Sequence, residues 1–348
     1  MHRLLLAEKE VKPHEGHKPL VMDNESKEEE PKEMVKPPVR SFWRRKWTTL
    51  DKRVAYIISF VHLLCIFAPF QFNWSAFRVA VALKVITGLF GMTISYHRNL
   101  AHKSFQLPKW LEYLFAYCGV HALQGDPIDW VSTHRCHHQF VDTEKDPHSP
   151  INGFWISHMM WLFDSYTLTN KVCPKYSSDL KKIERNMFVI FTKHGKPDNV
   201  GDLEKQRFYR FIHKTYMLHH LTLAIILYNV GGLPFFIWGM CVRIVVVFHS
   251  TFMVNSVCHI WGKQPWRTGD LSRNNWLVGL TSFGEGWHNN HHAFSYSARL
   301  GLEWWQLDAG WYVIKFLQVI GLATNVKLPS PSHMQNLAVD HKPKEKLF

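Results

Sequence analysis

No Cys-x-x-Cys pair occurs among the six cysteines of this 348-residue chain. That absence removes zinc ribbons and paired redox thiols, and the cysteines read as reduced rather than as a disulfide framework. Acidic residues are in the minority, 28 against 41 Lys and Arg, giving a net charge of +13. An excess of this size suits nucleic acid, but no helix-turn-helix, zinc-finger or RNA-recognition signature accompanies it. No nucleic-acid partner is expected. Beside apolar spans, the charge reads as a cytosolic membrane flank. No apolar run long enough for a signal peptide follows the start, and residues 1–39 hold nine Asp and Glu where a plastid transit peptide is acid-poor and Ser-rich. They are expected to form a disordered polar tail.

What is present is a set of apolar stretches. Trp43-Arg44-Arg45-Lys46-Trp47 precedes the first, Val54–Phe70, and a second follows at Ala76–Ile94. Each is about long enough to cross ~30 Å of hydrocarbon. Lys84 interrupts the second and is expected to snorkel or to face protein. Trp110–Leu123 and Gly153–Phe163 are too short to span and read as interfacial helices. Tyr166–His213 is polar and basic and belongs to a cytosolic part. Met217–Val254 is broken by Gly231-Gly232-Leu233-Pro234, which predicts a hairpin of two spans near 217–232 and 234–254. Arg243 in the last span is expected to face protein. The expected fold is an all-α membrane protein, with four transmembrane helices and a cytosolic helical cap. A membrane domain over 40–328 lies between the first tail and a polar C-terminal tail, 329–348.

Four crossings place every histidine group on one side. His134, His137 and His138 repeat the i, i+3, i+4 pattern of His288, His291 and His292, which on a helix gathers three imidazoles on one face. His97 and His102 are five apart, ~140° apart on an ideal α-helix, so one lies past a helix end or the two approach from different directions. Asn255 and His259 share a face at the end of the fourth span. Nine imidazoles exceed the capacity of one ion, which predicts a dimetal site with Asn255 as a direct or water-mediated tenth ligand. Imidazole suits Zn, Cu, Fe or Ni. Two irons beside a membrane fit oxygen activation and attack on an unactivated C–H bond. Glu285, Asp129, Asp142 and Asp146 are candidates to orient the rings. The other histidines, His62, His121, His148, His158, His213, His219, His220 and His249 among them, read as structural.

The motifs HRNLAHKSF, HRCHHQF, NSVCH and HNNHH resemble, in order and approximate separation, those of the integral-membrane fatty acyl desaturases of the stearoyl-CoA type. WVSTHRCHHQFVDTEKDPHSP and NSVCHIWGKQPWRTGDLSRNNW are most similar to the plant Δ9 acyl-lipid desaturase-like branch. The resemblance runs from about Arg44 to Leu328. It implies four transmembrane helices, a cytosolic cap, a diiron centre on the nine histidines with Asn255 acting through water, and cis desaturation with O2 and electrons from cytochrome b5. It also implies that Gln124, Trp130 and Thr251 shape the bend of the acyl tunnel. The His-Pro-Gly-Gly signature of a fused cytochrome b5 domain is absent, so the donor is expected to be a separate protein, or a ferredoxin in a plastid. Animal acyl-CoA enzymes carry an Arg-Asp pair where this chain has Ser132-Thr133. That departure tilts the expected acyl carrier from CoA towards a membrane lipid, with both left open.

Two other functions compete. A diiron hydroxylase or oxidase of acyl chains shares the chemistry, and sequence spacing does not separate it. A metal transporter would hold its ligands near mid-membrane, whereas these cluster at span ends. Basic Lys171–Lys196 is a candidate docking surface for an acidic electron carrier. Lys344-Glu345-Lys346-Leu347-Phe348 resembles a dilysine retrieval signal, which places the protein in the endoplasmic reticulum with both termini cytosolic; a chloroplast membrane is the alternative. A glycosylation acceptor engineered into the C-terminal tail should therefore remain unmodified in microsomes. Glycan addition there would reverse the topology.

Overall fold

The computed structural model describes Phe42 and residues 45–165 and 199–339. The chain divides into a short first unit, Met1–Arg44, and a second, Arg45–Phe348, which holds every feature below. The polar N-terminal tail, the basic segment Lys171–Lys196 and the terminal Lys-Glu-Lys-Leu-Phe run lie outside the described residues. Among the described residues the architecture is helical, with isolated bridges such as Asn274 to Trp287 in place of strands.

Helix α1, Thr49–Leu64, starts at a reciprocal cap: Asp51 N–H donates to Thr48 Oγ1 at 3.1 Å, and Thr48 N–H donates to Asp51 Oδ2 at 2.9 Å. Asp51 is fully buried and also accepts from Arg45 at 2.7 Å and from Ser165 N–H at 2.8 Å, so one carboxylate ties the helix start to the distant 160s. The helix begins five residues before the expected apolar stretch and ends before Phe70. Past Leu64 the chain runs as short 3-10 turns, with Pro69 opening the second, where it can neither donate nor continue an α-helix. Asn73 then caps Ala76 N–H at 2.7 Å and opens helix α2, Trp74–Ala101.

α2 carries the first histidine pair. From Val85 to Ala101 its hydrogen bonds shift from i→i+4 to the wider i→i+5 pattern, and His102 N–H donates to His97 O at 3.1 Å. In this winding, residues five apart stack one turn above the other. The 140° separation expected on an α-helix therefore does not arise: the two rings lie 4.8 Å apart, centroid to centroid.

Helix α3, Lys109–Val120, exposes Trp110, Leu114 and Tyr117 on one side and packs its other side on α2. Helix α4, Pro127–Phe140, is opened by Asp126, which accepts from Ile128 N–H at 2.8 Å with Pro127 in the first turn. The apolar run at 153–163 forms two short pieces, Phe154–His158 and Met160–Phe163, instead of one helix. Helix α5, Arg207–Phe235, and helix α6, Arg243–Ile260, are joined by a wide-wound segment, Phe236–Val242. At Gly232 the backbone leaves the helix, with φ 65° and ψ −157°, a conformation that glycine adopts without strain. The chain reverses there, and the two arms pack closely: a Cβ on Gly239 would lie 3.1 Å from the Leu227 side chain.

The runs Trp74–Ala101 and Arg207–Ile260 are long and apolar enough to cross a membrane. Arg243 faces protein, as expected: it is 1% exposed and donates to Gly239 O at 2.9 Å and to His121 O. The carbonyl of His121 lies just past the end of α3, where a cation also meets the negative end of the helix.

α2 and α3 cross in near backbone contact. A Cβ on Gly91 would sit 2.4 Å from both N and Cα of Gly119. Gly91→Ala should thus force the helices apart and cost about 2 kcal/mol, read as a lowered midpoint of thermal unfolding in detergent. An unchanged midpoint would show that the crossing can relax.

Candidate metal centre

Nine imidazoles from four segments converge, at the ends of α2, α4 and α6 and on the short helix His288–Ala293. They form two groups, each with its ligand-capable nitrogens within 4.8 Å of one another. The first holds His97, His102, His134, His138 and His291; the second holds His137, His259, His288 and His292. The groups adjoin, with the His138 and His292 rings 4.7 Å apart. All nine sequence-predicted histidines are therefore brought together. His137 and His138 are neighbours in sequence yet join different groups, since successive helical residues point about 100° apart. Asn255 is half-buried on the wall of a cavity shared with His134, His137 and His288.

Carboxylates stand beside Nδ1 of four rings, hydrogen-bonded to three of them, His137, His259 and His292. His97 Nδ1 lies 2.6 Å from Glu285 Oε2, and His137 Nδ1 lies 2.9 Å from Asp146 Oδ2. His259 Nδ1 lies 3.1 Å from Asp142 Oδ2, and His292 Nδ1 lies 2.7 Å from Asp270 Oδ2. A proton held on Nδ1 leaves the Nε2 lone pair pointing inward. There the Nε2 atoms crowd together: His97 to His291 at 3.1 Å, His102 to His134 at 2.8 Å, His138 to His291 at 2.9 Å and His259 to His288 at 3.0 Å. His292 Nε2 is buried without a hydrogen-bond partner. Lone pairs gathered this closely repel unless a cation lies among them, so the donor set fits a pair of metal ions.

The electrostatics agree. Burial, and then the nearby rings, hold His102, His134, His138, His288 and His291 well below the usual imidazole range. Burial also takes His292 down to about 4, against the pull of Asp270. These rings are neutral at physiological pH, which is the form that ligates. His137 goes the other way: burial opposes its cation, but Asp146, with Asp142 and Asp270, together raise it.

Glu285 stands against a ring as anticipated, and that ring is His97. Arg98, 1% exposed, holds it there, donating to Glu285 Oε1 at 3.0 Å while lying 2.8 Å from Asp308 Oδ1. Asp142 and Asp146 orient rings as anticipated. Asp129 orients none, and its carbonyl accepts from Thr133 Oγ1 at 2.9 Å. Asp270, Arg98 and Asp308 were missed. Asp270 stands 22 residues before the ring it serves, and no fixed spacing marks such a partner.

A half-open cavity lies beside the histidines. Trp130 and Thr251 line it, with Met92, Val247, Val254 and Phe283 as apolar wall. Trp130 stacks on His134 at 5.0 Å, one helical turn away as its spacing required. Gln124 Nε2 donates to Thr251 Oγ1 at 3.1 Å and so fixes the wall from behind. Lys84 faces this cavity, with Nζ 5.4 Å from the Phe283 ring centroid. Ser132 is closed inward, donating to Asn199 Oδ1 at 2.7 Å.

Glu285→Gln should keep the fold but weaken retention of a divalent ion by about 10- to 100-fold, as loss of a ring-orienting partner does elsewhere. Metal content after timed chelation measures it, and wild-type retention would deny Glu285 the orienting role.

Comparison with known proteins converges on the same chemistry. The family model for fatty acid desaturases matches residues 73–317. The chain is 59% identical to a palmitoyl-monogalactosyldiacylglycerol delta-7 desaturase, chloroplastic, of Arabidopsis thaliana, over 85% of this chain and 74% of that protein. It is 52% identical to delta-9 acyl-lipid desaturase 1 of the same plant, over 86% of this chain and 91% of that one. An acyl-CoA C20 Delta5-desaturase of Anemone leveillei is also 52% identical, over 85% and 88%. The chain belongs to the fatty acid desaturase family and is an oxidoreductase of fatty acyl chains.

Proposed function

We propose that the protein is a diiron desaturase that introduces a cis double bond, at Δ9, into the saturated acyl chain of a membrane lipid. The observation that carries this reading is the abutment of the five- and four-histidine groups on an apolar cavity walled by Trp130 and Thr251. Iron bound there would supply oxygen activation and cleavage of unactivated C–H bonds. Two adjacent methylenes lose two hydrogens; O2 takes these, two electrons and two protons, and leaves as two waters. The ligands are the nine histidines, with Asn255 through water. Methylenes offer no polar handle, so the chain's own part is positional. Trp130 and Thr251 bend the hydrocarbon one turn from the rings, and Gln124 fixes Thr251.

The finer topology follows the same reading. Four crossings, near 54–70, 76–94, 217–232 and 234–254, carry a cytosolic cap, and both termini face the cytosol. The electron donor is cytochrome b5, and the membrane is that of the endoplasmic reticulum. Inward-closed Ser132 supports a lipid carrier over CoA, which needs groups turned outward. A second reading is Δ7 desaturation in a chloroplast membrane with ferredoxin as donor. It draws on the relative at 59% identity, whose name states Δ7 and chloroplastic.

Expression in a host lacking its own Δ9 activity, with the double bond located by mass spectrometry, separates the readings. Purified protein should carry two irons. His288→Ala should drop turnover below about a tenth while the protein stays membrane-inserted, as loss of a direct ligand exceeds loss of an orienting one. A hydroxylated product, one ion per chain, or zinc in active protein would overturn the diiron desaturase. Turnover of acyl-CoA alone would overturn the lipid carrier.

A further inference from the structure

The chain after His259 reads as polar, yet it carries a large apolar surface. Helix α9, Ala309–Val319, buries Gly310, Ile314 and Leu317. A Cβ on Gly310 would lie 2.7 Å from Thr93 Cγ2 and 2.9 Å from Arg98 Cζ, so the helix is seated on the last turns of α2. Its opposite face is apolar too. Tyr312 is 55% exposed, Phe316 61% and Val319 74%, and Ile320 beyond the helix end is also exposed. Apolar side chains thus occupy both faces, with Lys315 and Gln318 the polar residues among them, which is not the pattern of a helix lying against water. At 11 residues it is about 16 Å long and too short to cross a bilayer.

The surface extends beyond this helix. Trp304 is the most exposed large apolar residue described, at 87%, and Leu307 follows it. Helix α7, Trp276–Thr281, exposes Trp276, Leu277 and Leu280. Trp287 joins the two regions into one patch. Its Nε1 donates to Leu307 O at 2.8 Å, its ring meets Trp305 at 5.3 Å, and a Cβ on Gly279 would touch it at 3.1 Å.

We infer that this patch, carried by Trp276, Leu280, Trp304, Tyr312, Phe316 and Val319, is embedded in the cytosolic leaflet of the membrane that α2 crosses. The occupant is lipid because the patch is continuous with a spanning helix. α9 sits where the apolar stretch of α2 ends, and α2 exposes Phe77, Val81 and Ile86 below it. The aromatics match the Trp and Tyr belts of membrane interfaces. Lys315 on the same face donates to Gln318 Oε1 at 3.1 Å, and its long apolar stem would let the ammonium turn to the headgroups. The geometry is that of a helix lying in the interface plane.

The leaflet contact adjoins the metal centre on two sides. Ser282 and Phe283, directly after α7, line the cavity. Asp308 caps α9, accepting from Trp311 N–H at 2.9 Å, and pairs with the Arg98 that holds Glu285 against His97. The embedded patch thus sets the cavity wall at lipid level and braces one ring.

The inference rests on the membrane-spanning reading, and its test separates the two. Full-length protein is placed in phosphatidylcholine liposomes containing a phosphatidylcholine with a diazirine on its acyl chain. After irradiation, tryptic peptides are mapped. Peptides 300–315 and 316–327 should carry label within roughly threefold of that on α2, as for an interfacial helix. Phe316→Glu with Val319→Glu should lower label on 316–327 severalfold and leave α2 unchanged. Label on α2 and α5 with none on 300–327 would overturn the leaflet contact and keep the spans. Cross-links joining 316–327 of two copies would assign the face to self-association and overturn it also. No label on α2 would overturn the spans and the inference together.

Discussion

Proton placement on four imidazoles governs the centre. Glu285, Asp146, Asp142 and Asp270 each take the Nδ1 side of one ring and turn the lone pair of the other nitrogen inward. Two divalent ions would bring four positive charges to ligands that carry none. The four carboxylates return that charge through the rings, in an interior where the effective dielectric is low and imbalance is costly. The segments bearing these acids are therefore placed with some accuracy. The loop after α4 supplies Asp142 and Asp146, and the turn before α8, His288–Ala293, supplies Glu285. Arg98 and Asp308 extend the arrangement to α9, so the buried ion pairs also knit the cap together.

Much of this was legible in the chain. Repeated i, i+3, i+4 histidines announced a shared site, and all six rings reached it, though each triad divides between the two groups. Trp130 stands one helical turn before His134 and stacks on it, whereas Gln124 and Thr251, 127 residues apart, were marked only by the family resemblance. Gly231-Gly232-Leu233-Pro234 marked the reversal, because glycine and proline act on the backbone locally. Other features had no local signal. The division of the histidines into five and four depends on how three helices cross. Asp270 reaches His292 only through the fold between them. The apolar face of α9 escaped because an 11-residue helix dilutes into its polar flanks in any window long enough to detect a span. The expected helix limits near Leu64 and Gly153–Phe163 missed because hydropathy does not register 3-10 turns.

The relatives divide over double-bond position and acyl carrier, though their identities to this chain differ little. Delta-7, delta-9 and delta-5 enzymes lie between 52% and 59% identity. On the reading proposed above, the wall of the cavity would set double-bond position, since a shift of one methylene against Trp130 and Thr251 would move the bond by one carbon. Lys84, a cation among apolar neighbours on that wall, is a second place where small sequence changes would tell.

The wide winding of α2 has a bearing on how such proteins diverge. Five residues make a turn between His97 and His102 only because the hydrogen bonds there run i→i+5. The His-x-x-x-x-His spacing is thus a record of backbone geometry as much as of ligand choice. A loop absorbs a gained or lost residue at small cost; this segment cannot. Removing one residue between the two rings would return them to neighbouring positions on an ordinary α-helix, while every contact further along rotated by about 100°. The length of this segment is therefore tied to the placement of the two rings and of everything that follows them.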